Sequence, residues 1–162
     1  VLRLMFDELR DLYQEVILDH GKSPRNFRAI EHAKYHAHGN NPMCGDQLEV
    51  FVQADEDGII TDASFVGKGC AISVASASLM TELLRGKTVD QARHMFEGFH
   101  EMCTRGGDTA LDDVPEEDAD RLQVLSGVSE FPMRVKCATL AWHTMSAATE
   151  GEEEISTEDQ RD

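Results

Sequence analysis

The sequence predicts an α+β fold in which a small antiparallel β-sheet packs against several α-helices. After one N-terminal helix, patterns typical of strands come first along the chain and patterns typical of helices follow, as in this fold class. The chain has 162 residues, of which 41% are hydrophobic, and this suffices for one ordinary core. We therefore expect a single domain over residues 1–149.

The first element is predicted to be a helix, and a β-hairpin follows it. Apolar residues recur near helical spacing until Gly21 and Pro24 interrupt the pattern: Leu4, Leu9, Leu12, Tyr13, Val16 and Ile17. The first hairpin strand alternates polar residues with Leu48, Val50 and Val52. Residues 55–58 supply turn chemistry, and residues 59–66 form the returning strand.

Four helices are predicted after the hairpin. The first begins with a run of small residues at Ala71 and ends near Gly86. The second opens with a capping box formed by Thr88 and Gln91. It ends at Gly106 and Gly107, and its apolar stripe consists of Ala92, Phe96, Phe99 and Cys103.

The last two helices each begin at a proline. A short helix follows Pro115, has an acidic first turn and ends before Gly127. The final helix starts near Pro132, and its inner face consists of Val135, Ala138, Ala141, Trp142 and Met145. Together the helices are expected to cover the small sheet.

The chain is strongly acidic. Its 31 Asp and Glu residues against 15 Lys and Arg give a net charge of -16. This charge repels phosphate backbones and anionic lipids, so we expect neither nucleic acid nor membrane as a partner. Residues 150–162 contribute seven acidic side chains and one arginine. Such unpatterned like charge predicts an acidic, disordered C-terminal tail.

The expected compartment is the cytoplasm. No apolar run approaches the roughly 20 residues that span a bilayer, and the first residues lack the apolar stretch of a secretion signal. The chain has four cysteines, and thiols stay reduced in the cytoplasm, which argues against a disulfide framework. These cysteines are therefore expected to be core residues, nucleophiles or metal ligands.

Three cysteines and one aspartate lie at predicted element boundaries. Cys44 and Asp46 flank Gly45 in the loop before the hairpin, where glycine lets the chain bend so that both side chains face one centre. Cys70 begins the small-residue helix, and Cys137 falls in the first turn or so of the last helix. Free N–H groups and the helix dipole favour the thiolate at such helix starts.

Three thiolates and a carboxylate form a ligand set that suits tetrahedral zinc. Beside two of the cysteines, three basic residues would offset the negative charge: Lys68, Arg134 and Lys136. Structural zinc sites usually use paired CxxC knuckles, which this chain lacks. Spacing alone therefore leaves open whether these residues bind zinc or are ordinary buried cysteines.

Four ordered motifs resemble the IscU-like family of iron-sulfur cluster assembly proteins, and within it the SufU type. The motifs are LRDLY at residues 9–13 with the stretch 19–27, NPMCGD at 41–46, GKGCAIS at 67–73 and RVKCATLAW at 134–142. They span most of the chain. The resemblance implies an IscU/SufU-like fold and one Zn²⁺ per chain, bound by Cys44, Asp46, Cys70 and Cys137.

Two features resemble the SufU type rather than the IscU scaffold type. Lys136 stands where the scaffold usually carries a histidine, and the long interval from Cys70 to Cys137 accommodates an extra segment within residues 98–129. The resemblance thus implies a zinc-dependent sulfur acceptor. It would take persulfide sulfur from a SufS-type cysteine desulfurase and supply a downstream iron-sulfur scaffold.

The mechanism of the family would make Cys44 the sulfur acceptor. A histidine of the desulfurase takes over a zinc position and releases Cys44 as a thiolate, which attacks the outer sulfur of the enzyme persulfide. Asp46 would orient the loop and hold the metal. Arg134 is expected to support the site, either by stabilising its negative charge or by pairing with Asp46 when the ligands rearrange.

Two alternative functions stay open at this point. The same ligands could assemble a [2Fe-2S] cluster, because thiolates also ligate iron. The zinc could instead be purely structural, in a binding module of another class. A brown colour after anaerobic reconstitution would identify the first, and unfolding on chelation would identify the second.

Other reactive side chains are left out of the predicted site. Cys103 lies on the apolar stripe of its helix and is expected to be a core cysteine. His36 and His38 would face one way on a strand. With no third ligand expected nearby, they are interpreted as a surface pair. Trp142 is expected to belong to the core rather than to a partner surface.

Overall fold

The structure is a computed structural model that describes residues 14–105, 111 and 114–156. Residues 14–22 are helical and form α1, which confirms the predicted first helix over this part of its range. The remaining apolar positions of that pattern lie outside the described residues: Leu4, Leu9, Leu12 and Tyr13. His20 of α1 is buried, and its Nδ1 lies 2.7 Å from Ser78 Oγ, so a hydrogen bond holds α1 against the next helix.

Four strands form one sheet in the order β3-β2-β1-β4. They are β1 (Tyr35–Asn41), β2 (Asp46–Ala54), β3 (Ile60–Lys68) and β4 (Glu154–Ser156). The predicted hairpin of β2 and β3 is confirmed, and β1 pairs antiparallel with β2. β4 runs parallel to β1 within the range predicted to be a tail, while residues 157–162 lie outside the described residues.

The outer face of β1 differs from the prediction in one respect. His36 and His38 do face the same way and are both exposed. The expectation that no third ligand lies nearby is wrong, because the register of β1 with β2 places Glu49 opposite His38. The pairing of β1 with β2 thus brings Glu49, which lies 11 residues after His38 in sequence, next to the two histidines.

The helices after the sheet match the predicted order. They are α2 (Ala71–Leu84), α3 (Val89–Arg105), α4 (Glu116–Leu122) and α5 (Pro132–Thr149). The capping box is present: Thr88 N donates to Gln91 Oε1 over 2.9 Å, and Gln91 N donates to Thr88 Oγ1 over 3.1 Å. After α4 the chain continues as a 3-10 segment over Gln123–Glu130, so helical structure passes through Gly127 instead of ending before it.

The core lies between the sheet and the helices α2 and α5. Trp142 of α5 is fully buried, as predicted, and its Nε1 donates to Ser76 Oγ of α2 over 3.2 Å. Cys103 is also fully buried, as expected of a core cysteine. β1 lies so close to α5 that a Cβ on Gly39 would overlap Thr144. No helix within the described part of the chain is long and apolar enough to cross a membrane.

Candidate metal centre

Cys44, Asp46 and Cys137 meet at one end of the sheet. A tight turn joins β1 to β2, with Cys44 N donating to Asn41 O over 3.3 Å. Gly45 has φ +71°, a left-handed conformation that glycine adopts without strain. This turn places Cys44 and Asp46 on either side of the bend, as the sequence predicted.

The donor atoms of Cys44, Asp46 and Cys137 all lie within 4.8 Å of one another. The Sγ atoms of Cys137 and Cys44 are 3.4 Å apart, far longer than the roughly 2.05 Å of a disulfide bond. All four cysteines of the chain are free. Two thiols and a carboxylate at this spacing suit a tetrahedral ion such as zinc.

Asp46 is fully buried and its carboxylate is oriented by hydrogen bonds on both oxygens. Oδ1 accepts from the backbone N–H of Cys70 over 2.9 Å, and Oδ2 accepts from Asn41 Nδ2 over 3.1 Å. Asn41 Nδ2 also lies 3.7 Å from Cys137 Sγ. Asn41 therefore contacts two of the predicted ligands, a role that the sequence analysis did not assign to it.

Cys70 lies at the N-cap of α2, directly beside this group. Its thiol falls outside the set of donors within 4.8 Å that the described residues form. Its backbone N–H nevertheless binds Asp46, and its thiol interacts with that of Cys137. The structure thus brings three predicted ligands together and places the fourth at their edge.

The thiols differ in their tendency to ionise. Hydrogen bonding to Cys137, together with the backbone N–H groups of Ser73 and Ile72 at the start of α2, lowers the pKa of Cys70 to about 6. The same contact with Cys70, followed by burial, raises the pKa of Cys137. In the absence of a metal, Cys70 is therefore the thiolate of this pair.

The expectation that a helix start favours the thiolate is confirmed for Cys70 and wrong for Cys137. α5 begins at Pro132, so Cys137 lies in its second turn, beyond the free N–H groups of the first. Its side chain is fully buried, which disfavours charge. Burial likewise raises the pKa of Cys103 to about 12, in agreement with its place in the core.

Gly69 provides the space in which Asp46 and Cys70 approach each other. A Cβ at this position would lie 2.7 Å from Asp46 Oδ1 and 3.2 Å from Ser73 Cβ. Ordinary side chains do not tolerate such a contact with a buried, hydrogen-bonded carboxylate. The glycine before Cys70 is thus a steric requirement of the site rather than only a turn residue.

The surroundings of the centre are partly apolar and partly basic. Three large apolar side chains near Cys44 and Cys137 in sequence are more than half exposed: Met43, Phe131 and Met133. Arg134 is exposed in the first turn of α5, Lys136 is half-buried and Lys68 is exposed. In this arrangement Asp46 accepts hydrogen bonds from Asn41 and Cys70, and its pairing with Arg134 on ligand rearrangement stays a prediction.

Comparison with known proteins identifies relatives across the range that holds this centre. Residues 12–138 match the family described as NifU-like N terminal domain. A Bacillus subtilis (strain 168) protein named zinc-dependent sulfurtransferase SufU is 40% identical over 145 residues, covering 90% of this chain and 94% of that protein. The matched range contains all four predicted ligands.

Two further comparisons agree with this result. A Streptococcus pyogenes serotype M1 protein named iron-sulfur cluster assembly scaffold protein IscU is 36% identical, covering 90% of this chain and 87% of that protein. The crystal structure of a putative iron-sulfur cluster assembly scaffold protein for the SUF system, from Fervidobacterium islandicum AW-1, matches with a TM-score of 0.74 at 33% identity. That match covers 83% of this chain and 93% of the solved chain.

Proposed function

The chain belongs to the NifU-like N-terminal domain family, together with SufU and IscU proteins of iron-sulfur cluster assembly, and we propose that it is a zinc-dependent sulfur acceptor. Its sulfur would come from the persulfide of a SufS-type cysteine desulfurase and pass to a downstream iron-sulfur scaffold. The name of the Bacillus subtilis relative, a zinc-dependent sulfurtransferase, supports this choice within the family.

The observation that carries the proposal is the pair of free thiols of Cys44 and Cys137, 3.4 Å apart beside the buried carboxylate of Asp46. Cys44 is partly exposed, in a turn, whereas Cys137 is fully buried in a helix. A residue that must meet the sulfur of another protein has to be accessible. Cys70 is also partly exposed, but it begins α2 and its backbone is bound to Asp46, whereas Cys44 lies in a turn. We therefore assign the acceptor role to Cys44, while Cys137 and Asp46 hold the site.

The proposed zinc ligands are Cys44, Asp46 and Cys137, with Cys70 as the fourth. When bound, zinc supplies a charge that keeps its thiolate ligands deprotonated. Asn41 and the backbone of Cys70 hold the Asp46 carboxylate in place independently of the ion. The proposed metal site is thus largely preorganised before the ion binds.

The proposed sulfur transfer is a reaction of the thiol–disulfide exchange type. The Cys44 thiolate attacks the outer sulfur of the enzyme persulfide, and a new sulfur–sulfur bond forms while the original one breaks. The desulfurase cysteine leaves as a thiolate, and Cys44 becomes the persulfide. No net oxidation occurs, because one persulfide is exchanged for another.

The exposed apolar residues Met43, Phe131 and Met133 are proposed to contact the desulfurase around the acceptor thiol. Methionine and aromatic side chains are enriched at the cores of protein interfaces. Arg134, exposed in the same turn of α5 as Met133, is proposed to stabilise the negative charge of the thiolates during transfer.

The decisive experiment adds a SufS-type desulfurase and cysteine to the zinc-loaded protein. We expect faster turnover of the desulfurase and a mass increase of one sulfur on this chain. After anaerobic incubation with iron and separation from the desulfurase, this chain should carry no cluster absorption. A brown protein with cluster absorption would instead support the scaffold function that the Streptococcus pyogenes relative is named for.

Chelation separates the proposed function from a purely structural zinc. The protein has an extensive core formed by the sheet, α2 and α5, which does not depend on the candidate ligands. Removal of zinc should therefore leave the circular dichroism spectrum nearly unchanged and abolish stimulation of the desulfurase. Loss of the folded spectrum on chelation would show that the metal is structural.

A further inference from the structure

A second group of potential metal ligands lies on the outer face of the sheet. β1 buries Ala37, Gly39 and Asn41, so its alternate residues His36 and His38 face outward. Glu49 of β2 is the register partner of His38. These three side chains lie on the face opposite to the one that packs against α5, and they contribute nothing to the thiol centre.

The three side chains are close enough to share one ion. Glu49 Oε1 is in contact with His38 Nε2 and lies 3.7 Å from His36 Nε2. All their donor atoms lie within 4.8 Å of one another. Nitrogen and oxygen ligands bind divalent transition metals at about 2.0 to 2.2 Å, which sets their mutual distances at roughly 3 to 4 Å.

Neighbouring residues hold this arrangement in place. The ring of His36 stacks on Phe51, with centroids 4.4 Å apart and an interplanar angle of 5°, and Phe51 itself is buried. The Glu49 side chain is 29% exposed, whereas those of His36 and His38 are 45% and 55% exposed. The carboxylate is thus the most buried of the three groups, and the imidazole groups are open to ions from solvent.

The charge around this group also favours a cation. A groove of about 840 Å³ borders His38 and Glu49, and Glu154 of β4, the register partner of His38, lines it as well. The net charge of the chain is -16, which raises the local concentration of cations. A second carboxylate therefore lies next to the proposed ligands.

We propose that His36, His38 and Glu49 form a second metal site, for a divalent transition metal ion such as Ni²⁺ or Zn²⁺. Two imidazoles and a carboxylate suit these ions, whereas Mg²⁺ and Ca²⁺ prefer sites made of oxygen alone. Three protein ligands leave coordination positions for water, as in open zinc sites. This site does not depend on the proposed sulfur transfer and would persist if that function proved wrong.

The test is a calorimetric titration of the zinc-loaded protein with Ni²⁺. We expect one saturable Ni²⁺ site per chain without release of zinc and without the sulfur-to-metal absorption that nickel thiolates show. His38→Gln and Glu49→Gln should each weaken binding by about tenfold or more, a loss in the range known for perturbed metal sites. His32→Asn is the matched control, because His32 is exposed, lies outside the group and has φ 58°, which asparagine tolerates.

Paramagnetic broadening of histidine proton signals by Ni²⁺ provides a second measurement. The ring signals of His36 and His38 should broaden first, and those of His32 should not. Equal broadening of all three histidines, or equal Ni²⁺ affinity in His38→Gln and the unmodified protein, would overturn the site. Unchanged affinity in Glu49→Gln would also overturn it, since the carboxylate would not be a ligand. Circular dichroism of each variant checks that these surface changes leave the fold intact.

Discussion

The backbone N–H of Cys70 donates a 2.9 Å hydrogen bond to Oδ1 of Asp46. This bond connects the first residue of β2 to the N-cap of α2, two residues that are 24 positions apart in sequence. The carboxylate therefore has a structural role at the junction as well as a proposed role as a metal ligand.

Asp46→Ala should weaken zinc binding and destabilise the metal-free protein. The substitution removes a proposed ligand and leaves the Cys70 N–H and the Asn41 side chain without their acceptor. Each buried donor that loses its partner costs about 1 to 3 kcal/mol. Zinc affinity is measured by competition with a chromogenic chelator, and stability by urea unfolding after zinc removal. Asp57→Ala, at an exposed turn position, should change neither quantity.

Gly69→Ala should reduce zinc affinity by about tenfold or more, because the new Cβ displaces the carboxylate of Asp46. Gly127→Ala is the matched control, since a Cβ there meets no atom within 4 Å. Both variants are compared by the same chelator competition. Equal zinc affinity in the two variants would show that Asp46 moves freely or does not bind the metal.

Sequence patterns were sufficient to predict the hairpin and the helices after it, and the family resemblance added the close approach of Cys44, Asp46 and Cys137. Strong alternation, caps and glycine breaks identify those elements. For β1 the sequence supplied only the outward pair His36 and His38, because the inward positions of this strand, Ala37 and Gly39, are small where α5 lies close. Such residues give little hydrophobic alternation.

Other contacts of the two sites depend on register, which the sequence alone does not reveal. Asn41 reaches Asp46 and Cys137 because β1 ends beside the start of β2. Glu49 joins the outward histidines for the same reason. β4 is a three-residue strand within an acidic stretch, where composition predicted disorder. Pairing with β1 determines its structure locally, although its sequence has no strand pattern of its own.

His20 should make the stability of the metal-free protein depend on pH. Burial lowers the pKa of His20 below its ordinary value of 6.5, with the positive charge of Arg25 adding to the effect. The unfolded chain then binds a proton as the pH falls below about 6.5, while the folded chain does not. The stabilising contribution of neutral His20 to the free energy of unfolding is thus present above about pH 6.5. It is lost as the pH falls towards the pKa of His20 in the folded protein.

Urea unfolding between pH 7.5 and 5.5 measures this effect. As the pH falls, the free energy of unfolding of the unmodified protein should decrease by up to about 1.4 kcal/mol per pH unit more than that of His20→Asn. This figure is the limit for the uptake of one proton. His32→Asn should keep the pH dependence of the unmodified protein, because His32 is exposed. Identical slopes in all three proteins would contradict the assignment to His20.

Cys44→Ser should abolish stimulation of a cysteine desulfurase whatever zinc remains bound. A serine hydroxyl stays protonated near neutral pH and cannot form a persulfide, whereas Cys44 is the partly exposed thiol of the turn. Mass spectrometry of the unmodified protein, after reaction with desulfurase and cysteine, should place the added sulfur on the peptide that contains Cys44.

Cys103→Ser is the matched control for this experiment. Cys103 is fully buried, and burial raises its pKa to about 12, so it stays a neutral thiol that cannot attack a persulfide. Its replacement should leave zinc content and desulfurase stimulation nearly unchanged, provided that circular dichroism shows a folded protein. Added sulfur found mainly on Cys70 or Cys137, or continued stimulation by Cys44→Ser, would show that another thiol accepts the sulfur. Such a result would leave the proposed zinc ligands unchanged, because four side chains are proposed to hold the metal and the acceptor is only one of them.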